Sequence, residues 1–530
     1  MRPNILIFNP DQMRRDTLGH MGNKAAYTPN LDKIVEEGVS FSNVFCQSPV
    51  CTPSRCSFMT GWYPHVHGHR TISYLFHNPE PILLTQLKNN GYYVWINDRN
   101  DILAAQIDGL IDEICNERVG GQDIMNMGNQ DIKPSVARGE KGGDNFYSFY
   151  NGVYKTGDKE YEDSDYGDVK RLIDFIKNRP KDKPICMFLG LMNPHPPYVV
   201  PEKYYKLIDK TKLPERIKIS NWEKKPSLLK GLYDLFNLGD WEEERWDKLR
   251  ATYLAMCTRV DNFYKMVVDT LKKEGIYDDT AIFVMSDHGD FTGDYSLVEK
   301  TQNTFEDPLV NVPFIVKPHK DLKPKTGIND ALVELVDFYA TVLDFAEVKS
   351  NHTHFGKSLK KLIEGKDDKI RDVVFSEGGR LAEERHCTET YNLKWLLQKE
   401  SLYYPRMKVQ DSYGPEHTKA TMCRTKKIKY VKRLYEKDEL YDLTNDPKEL
   451  NNLIDDDKYK DIREKLQKRM LDWYQETADV VPFEEDDRFS KETMLLMLKH
   501  SVSKELYDKI EEQVRTTDIS LTRIMGAIMG

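Results

Sequence analysis

Two pairs of polar residues follow apolar runs of this chain, and their types could bind a metal ion. Asp11 and Gln12 come just after "NILIF", and Asp287 and His288 stand in "SDHGD", directly after "TAIFVM". Either pair alone is usually an ordinary turn. Together they offer carboxylates, an amide and an imidazole, which suit Ca²⁺ or Mg²⁺ better than a thiolate zinc site does.

The apolar runs predict buried strands. They alternate with amphipathic stretches such as "TPNLDKIVEEGVSF", in which apolar residues recur at helical spacing. Strands that are apolar throughout favour an α/β fold with a large, mostly parallel sheet flanked by helices. In such sheets ligands bind beyond the carboxyl ends of the strands. Each polar cluster lies at such an end: Asp11-Gln12, Arg99–Asp101, Asn193–His195 and Asp287-His288.

Composition excludes several classes of function. The net charge of −9 over 530 residues gives no field that attracts nucleic acid. No apolar run reaches the roughly 20 residues of a membrane span. The start of the chain lacks the pattern of a signal peptide, and eight irregularly spaced cysteines form no disulfide framework. We therefore expect reduced thiols and a cytoplasmic protein, although a chain trimmed of an export signal would look the same.

The length predicts more than one domain. We expect a catalytic α/β domain over 1–375 and a smaller antiparallel-sheet domain over 376–480, where short strands such as "KWLLQ" and "KIKYVKRLY" alternate with turns. A charged, helical extension follows over 481–530. The sequence gives no indication of the oligomeric state.

The stretch "CTPSRCSFMTG" carries a stronger signal than any of these clusters. As a local pattern it is a turn before a helix, with Cys51 as a buried thiol. It also matches the C/S-x-P-S-R motif, followed by Thr-Gly, of the type I sulfatases in the alkaline phosphatase superfamily. The chain resembles that family in the same order in other motifs: "RPNILIF", "LKNNGYYV", "NPHPPYVVPEKYY", "SDHGDFTGDYSLVEK" and "ELYDLTNDPKELNNL".

The resemblance implies an unusual nucleophile. In the family the motif cysteine, here Cys51, is oxidised to formylglycine by a maturation enzyme, for which Pro53, Ser54 and Arg55 look like the recognition sequence. One hydroxyl of the hydrated aldehyde attacks sulfur, and the other expels sulfate by re-forming the aldehyde.

The resemblance also assigns roles to other residues. Arg55 would hold the aldehyde hydrate and the metal-bound carboxylates, and Lys300 would bind the sulfate oxygens. His195 would lie beside the oxygen of the leaving group. The implied metal ligands are Asp11, Gln12, Asp287, His288 and the modified Cys51. Ca²⁺ is the expected ion, with Mg²⁺ or Mn²⁺ as alternatives.

Two departures from the family pattern affect the substrate. Many sulfatases carry Asp-Asp at the first pair, where this chain has Gln12, a residue shared with phosphonate and phosphodiester hydrolases of the superfamily. The family's G-K-W-H segment aligns with "DRND", so that Arg99 can serve as a cation and Asp101 can accept a proton or orient the hydrate. We expect both residues to contact substrate.

These features predict a sulfatase that hydrolyses a sulfate monoester of a sugar or a small alcohol. The same residues leave hydrolysis of phosphonate monoesters or phosphodiesters as the alternative. A non-catalytic, anion-binding relative with an unmodified Cys51 is a third reading.

Overall fold

The computed structural model describes residues 2–77, 80–120, 139–141, 143, 145–155, 160–391, 393–483, 486–517 and 520–529. The chain divides into two compact units, one of residues 1–349 and 354–478 and the other of residues 350–353 and 479–530. Within the described residues no helix has both the length and the apolar character needed to cross a bilayer.

The described strands, numbered in chain order, are β1 Asn4–Asp11, β2 Val39–Phe45, β3 Tyr93–Asn97, β4 Glu117–Val119, β5 Tyr150–Tyr154, β6 Ile185–Pro194, β7 Tyr198–Pro201, β8 Thr280–Met285, β9 Phe314–Lys317, β10 Gly327–Glu334, β11 Val374–Gly378, β12 Ala420–Arg424, β13 Ile428–Arg433 and β14 Glu439–Asp442.

The described α-helices are α1 Pro29–Lys33, α2 Cys51–Thr60, α3 Pro64–His67, α4 Leu83–Asn89, α5 Leu110–Ile114, α6 Ser164–Asn178, α7 Glu202–Tyr205, α8 Ser227–Phe236, α9 Glu243–Lys273, α10 Asp307–Val310, α11 Val336–Ala346, α12 Lys360–Ile363, α13 Tyr404–Gln410, α14 Lys460–Thr477, α15 Lys491–Leu498, α16 Lys504–Thr516 and α17 Leu521–Met529.

The larger unit is built on an eight-stranded sheet in the order β10-β2-β9-β8-β1-β6-β3-β4. All its neighbouring pairs are parallel except those that involve β9, which is antiparallel to both β2 and β8. Helices cover both faces, and each face has its own apolar core. Because the central strands are buried on both faces, their sequences are apolar throughout.

A second sheet of four antiparallel strands, in the order β11-β12-β13-β14, belongs to the same unit. Its core contains Phe375, Tyr430 and Leu440, on which Trp473 of α14 packs. The predicted α/β fold with a smaller antiparallel sheet is therefore confirmed. The predicted strand at "KWLLQ" is wrong, because Lys394–Leu397 forms a 3-10 helix. The division of the chain at residues 375 and 480 stays a prediction.

The second unit contains the three helices α15, α16 and α17. Their apolar faces meet in a small core formed by Leu495, Ile510, Val514, Leu521 and Ile524. The helical character expected for the last fifty residues is thus present in the described part of this segment.

Gly190 in β6 lets the segment after β3 approach the sheet closely. A Cβ atom at this position would overlap the carbonyl oxygen of Arg99. The backbone of Gly190 is also tied to the side chain of Asn97 by two hydrogen bonds of 2.8 Å each. Neither β6 nor the end of β3 can shift without breaking these bonds.

We expect Gly190→Ala to displace the Arg99 segment and to lower both the thermal stability and the hydrolytic activity. Gly167→Ala is the matched control, because Gly167 lies in α6 and its added Cβ would meet only the end of the Arg171 side chain, at 3.4 Å. Alanine is favoured over glycine in a helix by about 1 kcal/mol, so the control should be as stable as the parent or more so. Equal melting temperatures for parent and Gly190→Ala would contradict the prediction.

Candidate active site

The polar clusters predicted from the sequence lie at the ends of four adjacent strands. In the order β8-β1-β6-β3, these strands end at Met285, Asp11, Pro194 and Asn97. The four strands are parallel, so their carboxyl ends meet along one edge of the sheet. Helix α2 begins at this edge with Cys51 as its first residue.

Four of the predicted metal ligands form one buried cluster. Each of Asp11, Cys51, Asp287 and His288 offers a ligand atom, and these atoms all lie within 4.8 Å of one another. Nε2 of His288 is 3.4 Å from Sγ of Cys51 and 3.5 Å from Oδ1 of Asp11. The cluster therefore combines carboxylate oxygen, imidazole nitrogen and the side chain at position 51.

Arg55 connects the two carboxylates of this cluster. It lies one helical turn after Cys51 and is fully buried. Its Nε donates to Oδ2 of Asp287 at 2.7 Å, and its Nη2 donates to Oδ2 of Asp11 at 3.1 Å. Its Nη1 donates to the backbone carbonyls of Arg99 and Asn100. One guanidinium thus joins α2, β1, β8 and the segment after β3.

The charges of the cluster suit a divalent cation. Burial raises the pKa of Asp11, but Arg99 and Arg55 lower it more, and the net pKa lies well below the ordinary value. Asp11 is therefore ionised. Its Oδ2 is held by the two arginines, while its Oδ1 faces His288 and Cys51. An ionised carboxylate oxygen with no arginine on it is the kind of ligand that Ca²⁺ and Mg²⁺ prefer.

His288 is oriented as a neutral ligand. Its Nδ1 donates to the carbonyl of Gly289 at 3.0 Å, which leaves the lone pair of Nε2 directed at the cluster. Burial, assisted by the charge of Lys300, lowers the pKa of His288 despite Asp287, so the ring carries no charge. A backbone carbonyl on the second ring nitrogen is the usual support of a metal-binding histidine.

The unmodified thiol of Cys51 is a weak nucleophile at neutral pH. Burial raises the pKa of Cys51 well above its ordinary value, and the charge of Asp11 raises it further. Because the thiolate is the reactive form, the thiol at this position is held in the unreactive state. The side chain nevertheless stands at the N-terminus of α2, where the helix dipole favours negative charge.

Gln12 bridges two charged groups next to the cluster. Its Oε1 accepts from Nζ of Lys300 at 2.6 Å, and its Nε2 donates to Oδ2 of Asp290 at 2.5 Å. Asp290 is itself held by the hydroxyl of Tyr198. The structure therefore places Gln12 beside the predicted ligands, with its amide oxygen bonded to Lys300.

Lys300 remains charged although it is buried. Burial lowers the pKa of Lys300, but Cys51, Glu299 and Asp11 raise it more, so the net shift is upward. Arg406 of α13 neutralises Glu299 with bonds of 2.6 and 2.8 Å. The ammonium is thus a fixed positive charge near Cys51, as a site that binds an oxyanion requires.

His195 lies in the loop that follows β6. Its Nδ1 donates to the carbonyl of Pro196 at 2.6 Å, and its Nε2 has no hydrogen-bond partner among the described residues. Burial lowers the pKa of His195, and the charge of Lys300 lowers it further, so the free ring is neutral. In that state the proton resides on Nδ1, and Nε2 can accept a proton.

Asp165 of α6 positions the loop that carries His195. Its Oδ1 accepts from the backbone N–H of Met192 at 2.7 Å, and its Oδ2 accepts from the backbone and side chain of Asn193 at 2.8 and 2.6 Å. Sequence reasoning missed this residue, because nothing local links a helical aspartate to a strand end nearly thirty positions later.

Arg99 and Asp101 form the accessible side of the site. Their side chains are 25% and 27% exposed, whereas those of Arg55 and Asp11 are fully buried. Nη2 of Arg99 is paired with Asp11, and Nη1 donates to Asp101 at 3.1 Å. Nε of Arg99 is buried and has no hydrogen-bond partner in the described chain. The structure thus brings both predicted substrate contacts to the site.

Besides Asp165, sequence reasoning missed three further charged residues that support the predicted ones. Asp290 stands within "SDHGD" and Glu299 precedes Lys300, so their positions in the motifs could have marked them. Arg406 lies 107 residues from Glu299, in a segment without a motif, and only the fold connects the two.

The arrangement can hold a tetrahedral anion and act on it. Lys300 and Arg99 supply positive charge, and the cluster around Asp11, which includes the side chain at position 51, can hold a cation. Unpaired Nε2 of His195 can exchange a proton with a leaving group. Fixed charges in a buried site are the largest source of transition-state stabilisation in many enzymes.

Comparison with known families agrees with this arrangement. The sequence profile described as Sulfatase matches residues 3–348, and the profile described as N-sulphoglucosamine sulphohydrolase, C-terminal, matches residues 389–476. The first profile spans the large sheet and all the predicted site residues. The second spans most of the small sheet and α14.

Among individual proteins, an arylsulfatase of Clostridium perfringens is 26% identical over 506 residues, which cover 89% of this chain and 94% of that protein. A phosphonate monoester hydrolase of Agrobacterium radiobacter superimposes with a TM-score of 0.71 at 20% identity, covering 90% of this chain and 96% of that one. A protein solved with its substrate D-glucosamine-2-N,6-O-disulfate gives a TM-score of 0.67 at 19% identity and coverages of 90% and 98%.

We expect Arg55→Lys to destabilise the protein by about 3 kcal/mol or more, because one ammonium nitrogen cannot take the places of the three guanidinium nitrogens that bond Asp287, Asp11 and two carbonyls, and a poorly paired buried charge costs that much. Activity should fall at least a hundredfold. Urea unfolding and turnover measure the two effects.

Arg118→Lys is the control, because Arg118 pairs with Asp98 at a half-exposed position. Its stability should stay within about 1 kcal/mol of the parent. A fully stable and active Arg55→Lys variant would show that the bidentate bridge is dispensable.

Proposed function

Because the chain belongs to the sulfatase family of sulfuric ester hydrolases, we propose that it hydrolyses a sulfate monoester of a carbohydrate, with Cys51 oxidised to formylglycine and a divalent cation as cofactor. The observation that carries this proposal is the buried cluster of Asp11, Cys51, Asp287 and His288, whose ligand atoms lie within 4.8 Å of one another.

The proposed cofactors fit the residues present. Asp11, Gln12, Asp287, His288 and the modified residue 51 would hold the cation, Ca²⁺ in preference to Mg²⁺ or Mn²⁺, which would supply positive charge for a negatively charged nucleophile and sulfate group. Formylglycine, once hydrated, supplies two hydroxyl groups on one carbon, one to attack sulfur and one to release sulfate. The high pKa of the Cys51 thiol supports the need for such a modification.

Arg55, Lys300 and Arg99 have separate roles in positioning the ligands and binding the substrate. Arg55 keeps the carboxylates of Asp11 and Asp287 in place. Lys300 and Arg99 bind the sulfate oxygens, where negative charge must be stabilised in the transition state. Arg99, with a quarter of its side chain exposed, is the first of the two that an entering substrate meets.

His195 serves the leaving group. The proton on Nδ1 is held by the carbonyl of Pro196, so only Nε2 is available to the substrate. The positive charge of Lys300 contributes to the low pKa of His195, and a bound sulfate group would offset that charge. Substrate binding therefore raises the pKa of His195, and the ring can then hold a proton on Nε2 for the departing alcohol oxygen.

Two features, one of a similar protein and one of the sequence, support the remaining assignments. A relative is solved with a disulfated glucosamine as its substrate, which favours a sulfated sugar here. The "CTPSR" motif at 51–55 is the feature that a formylglycine-generating enzyme would recognise. This enzyme is therefore the proposed protein partner.

A second candidate is hydrolysis of a phosphonate monoester or a phosphodiester. The structural likeness to a phosphonate monoester hydrolase and the amide of Gln12 favour it. A sulfate monoester and a phosphodiester each carry one negative charge, so the charges of the pocket do not separate them. The difference lies in the second ester group, for which the site must have room.

Two measurements on protein from its native host test the proposal. The peptide covering residues 46–70 should be about 18 Da lighter than the thiol form, because the thiol has become an aldehyde. A sulfate monoester and a phosphodiester with the same aryl leaving group should then be compared. We expect the sulfate ester to have the higher kcat/KM and Cys51→Ala to abolish turnover of both.

Each other outcome has a distinct meaning. Formylglycine with a preference for the diester would assign the enzyme to the phosphonate and diester branch. An unmodified thiol without turnover, in protein from a host able to carry out the modification, would leave only a non-catalytic, anion-binding role.

A further inference from the structure

A cavity of about 350 Å³ lies in the larger unit, next to the small sheet. Its volume is at the lower end of the range of small-ligand sites, about 300–1,000 Å³. The residues that line it include Arg380, Glu383, Tyr413, Pro415, His417 and Tyr435. None of them belongs to the active site described above.

The ring of His417 has unsatisfied hydrogen-bonding atoms at this cavity. The residue is 2% exposed, and neither Nδ1 nor Nε2 has a hydrogen-bond partner in the described part of the chain. Burial lowers the pKa of His417 to about 3, and the charges of Arg380 and Arg406 contribute. The neutral ring offers one donor and one acceptor, and a hydroxyl group can bond either of them.

The charged residues at the cavity leave little capacity for an anion. Arg385, which packs against the ring of the lining residue Tyr413, already donates to the carboxylate of Asp411 and to the backbone carbonyls of residues 411 and 412. Among the described residues, the guanidinium of Arg380 lacks a partner only at Nε, because its Nη atoms donate to the carbonyls of Leu381, Ala382, Gln410 and Ser412. An oxyanion needs several convergent donors, whereas a sugar hydroxyl needs one.

Two exposed tyrosines stand at the rim. Tyr413 is 90% exposed and has Arg385 against its ring at 4.4 Å, and Tyr435 is 62% exposed. Tyr435 also has a φ of +69°, which is rare for a bulky residue and is retained where the surroundings impose it. Exposed aromatic faces beside buried polar atoms suit the apolar face of a sugar ring and its hydroxyls.

The cavity is connected to the loop that carries Lys300. Nδ2 of Asn303, three residues after Lys300, donates to the carbonyls of Glu416 and Thr418, on either side of His417. The charge of Arg406, which pairs with Glu299, also acts on His417. Hydrogen bonds of Asn303 therefore join the His417 side of the cavity to the segment that carries Lys300.

We propose that this cavity is a saccharide subsite that binds, through His417, Tyr413 and Tyr435, the sugar residue next to the sulfated one. The proposal rests on the proposed hydrolysis of carbohydrate sulfates and adds that the substrate is at least a disaccharide. Bare aryl sulfates reach the nucleophile without occupying the subsite.

The test compares two substrates in three variants. The probes are an aryl sulfate and a disaccharide with glucosamine 6-sulfate at one end. In His417→Phe and Tyr413→Ala, we expect kcat/KM for the disaccharide to fall about tenfold, the effect of losing one good contact, and that for the aryl sulfate to stay within about twofold. Tyr27→Ala, which alters a 45% exposed tyrosine elsewhere, should change neither value.

Folding does not obscure this test, because Tyr413 is exposed and His417→Phe removes unpaired polar atoms from a buried position. Melting temperatures of the variants should match or exceed that of the parent. Equal losses on both substrates, or unchanged turnover of the disaccharide, would overturn the subsite.

A binding measurement separates failure of the subsite from failure of the proposed function. Saturation-transfer NMR with the unsulfated disaccharide should show contact with the parent protein and loss of contact in His417→Phe, whether or not the protein has sulfatase activity. Absence of contact with the parent would refute the subsite even in an active sulfatase. Contact without sulfate-ester turnover would refute the proposed function alone.

Discussion

The site depends on one buried ion pair network, that of Arg55 with Asp11 and Asp287. All three side chains are excluded from solvent, so each charge is tolerated only because the others neutralise it. Since Asp11 ends β1, Asp287 follows the adjacent strand β8 by two residues and Arg55 belongs to α2, the network sets the distance between the sheet and Cys51. The free oxygen of Asp11 faces the cluster because Arg55 and Arg99 hold the other one.

The sequence could predict this network in outline, because its members lie at positions where local pattern is strong. Asp11 and Asp287 follow apolar runs of the kind found in a buried parallel sheet, and the carboxyl ends of the strands in such a sheet meet. The resemblance of the motif at 51–55 to the sulfatase motif then predicted that Cys51 and Arg55 belong to the same site. The fold class and the convergence of the polar clusters followed from these features.

Two of the supporting residues, Asp165 and Arg406, could not be predicted, because their partners are distant in sequence and have no fixed spacing. Asp165 orients the loop of His195 from a helix, and Arg406 neutralises Glu299 across 107 residues. Both are charges that burial would penalise unless the fold supplied a partner. The spacing of residues in the sequence does not indicate which distant charges will pair. The 3-10 helix at Lys394–Leu397 was missed for a related reason, since a short apolar run does not distinguish strand from helix.

Gln12 shows how one neutral side chain alters the charge balance of the whole site. Its amide accepts from Lys300 and donates to Asp290 at the same time, which an ionised aspartate could not do. A carboxylate here would also add a negative charge beside Asp11 and neutralise part of the charge of Lys300. With glutamine, that ammonium keeps its charge for an incoming anion, and a cation held by the neighbouring cluster would have one negative ligand fewer. In the proposed enzyme, the residue that departs from the common pattern of sulfatases would thus weaken the attraction for the cation and strengthen that for the substrate anion.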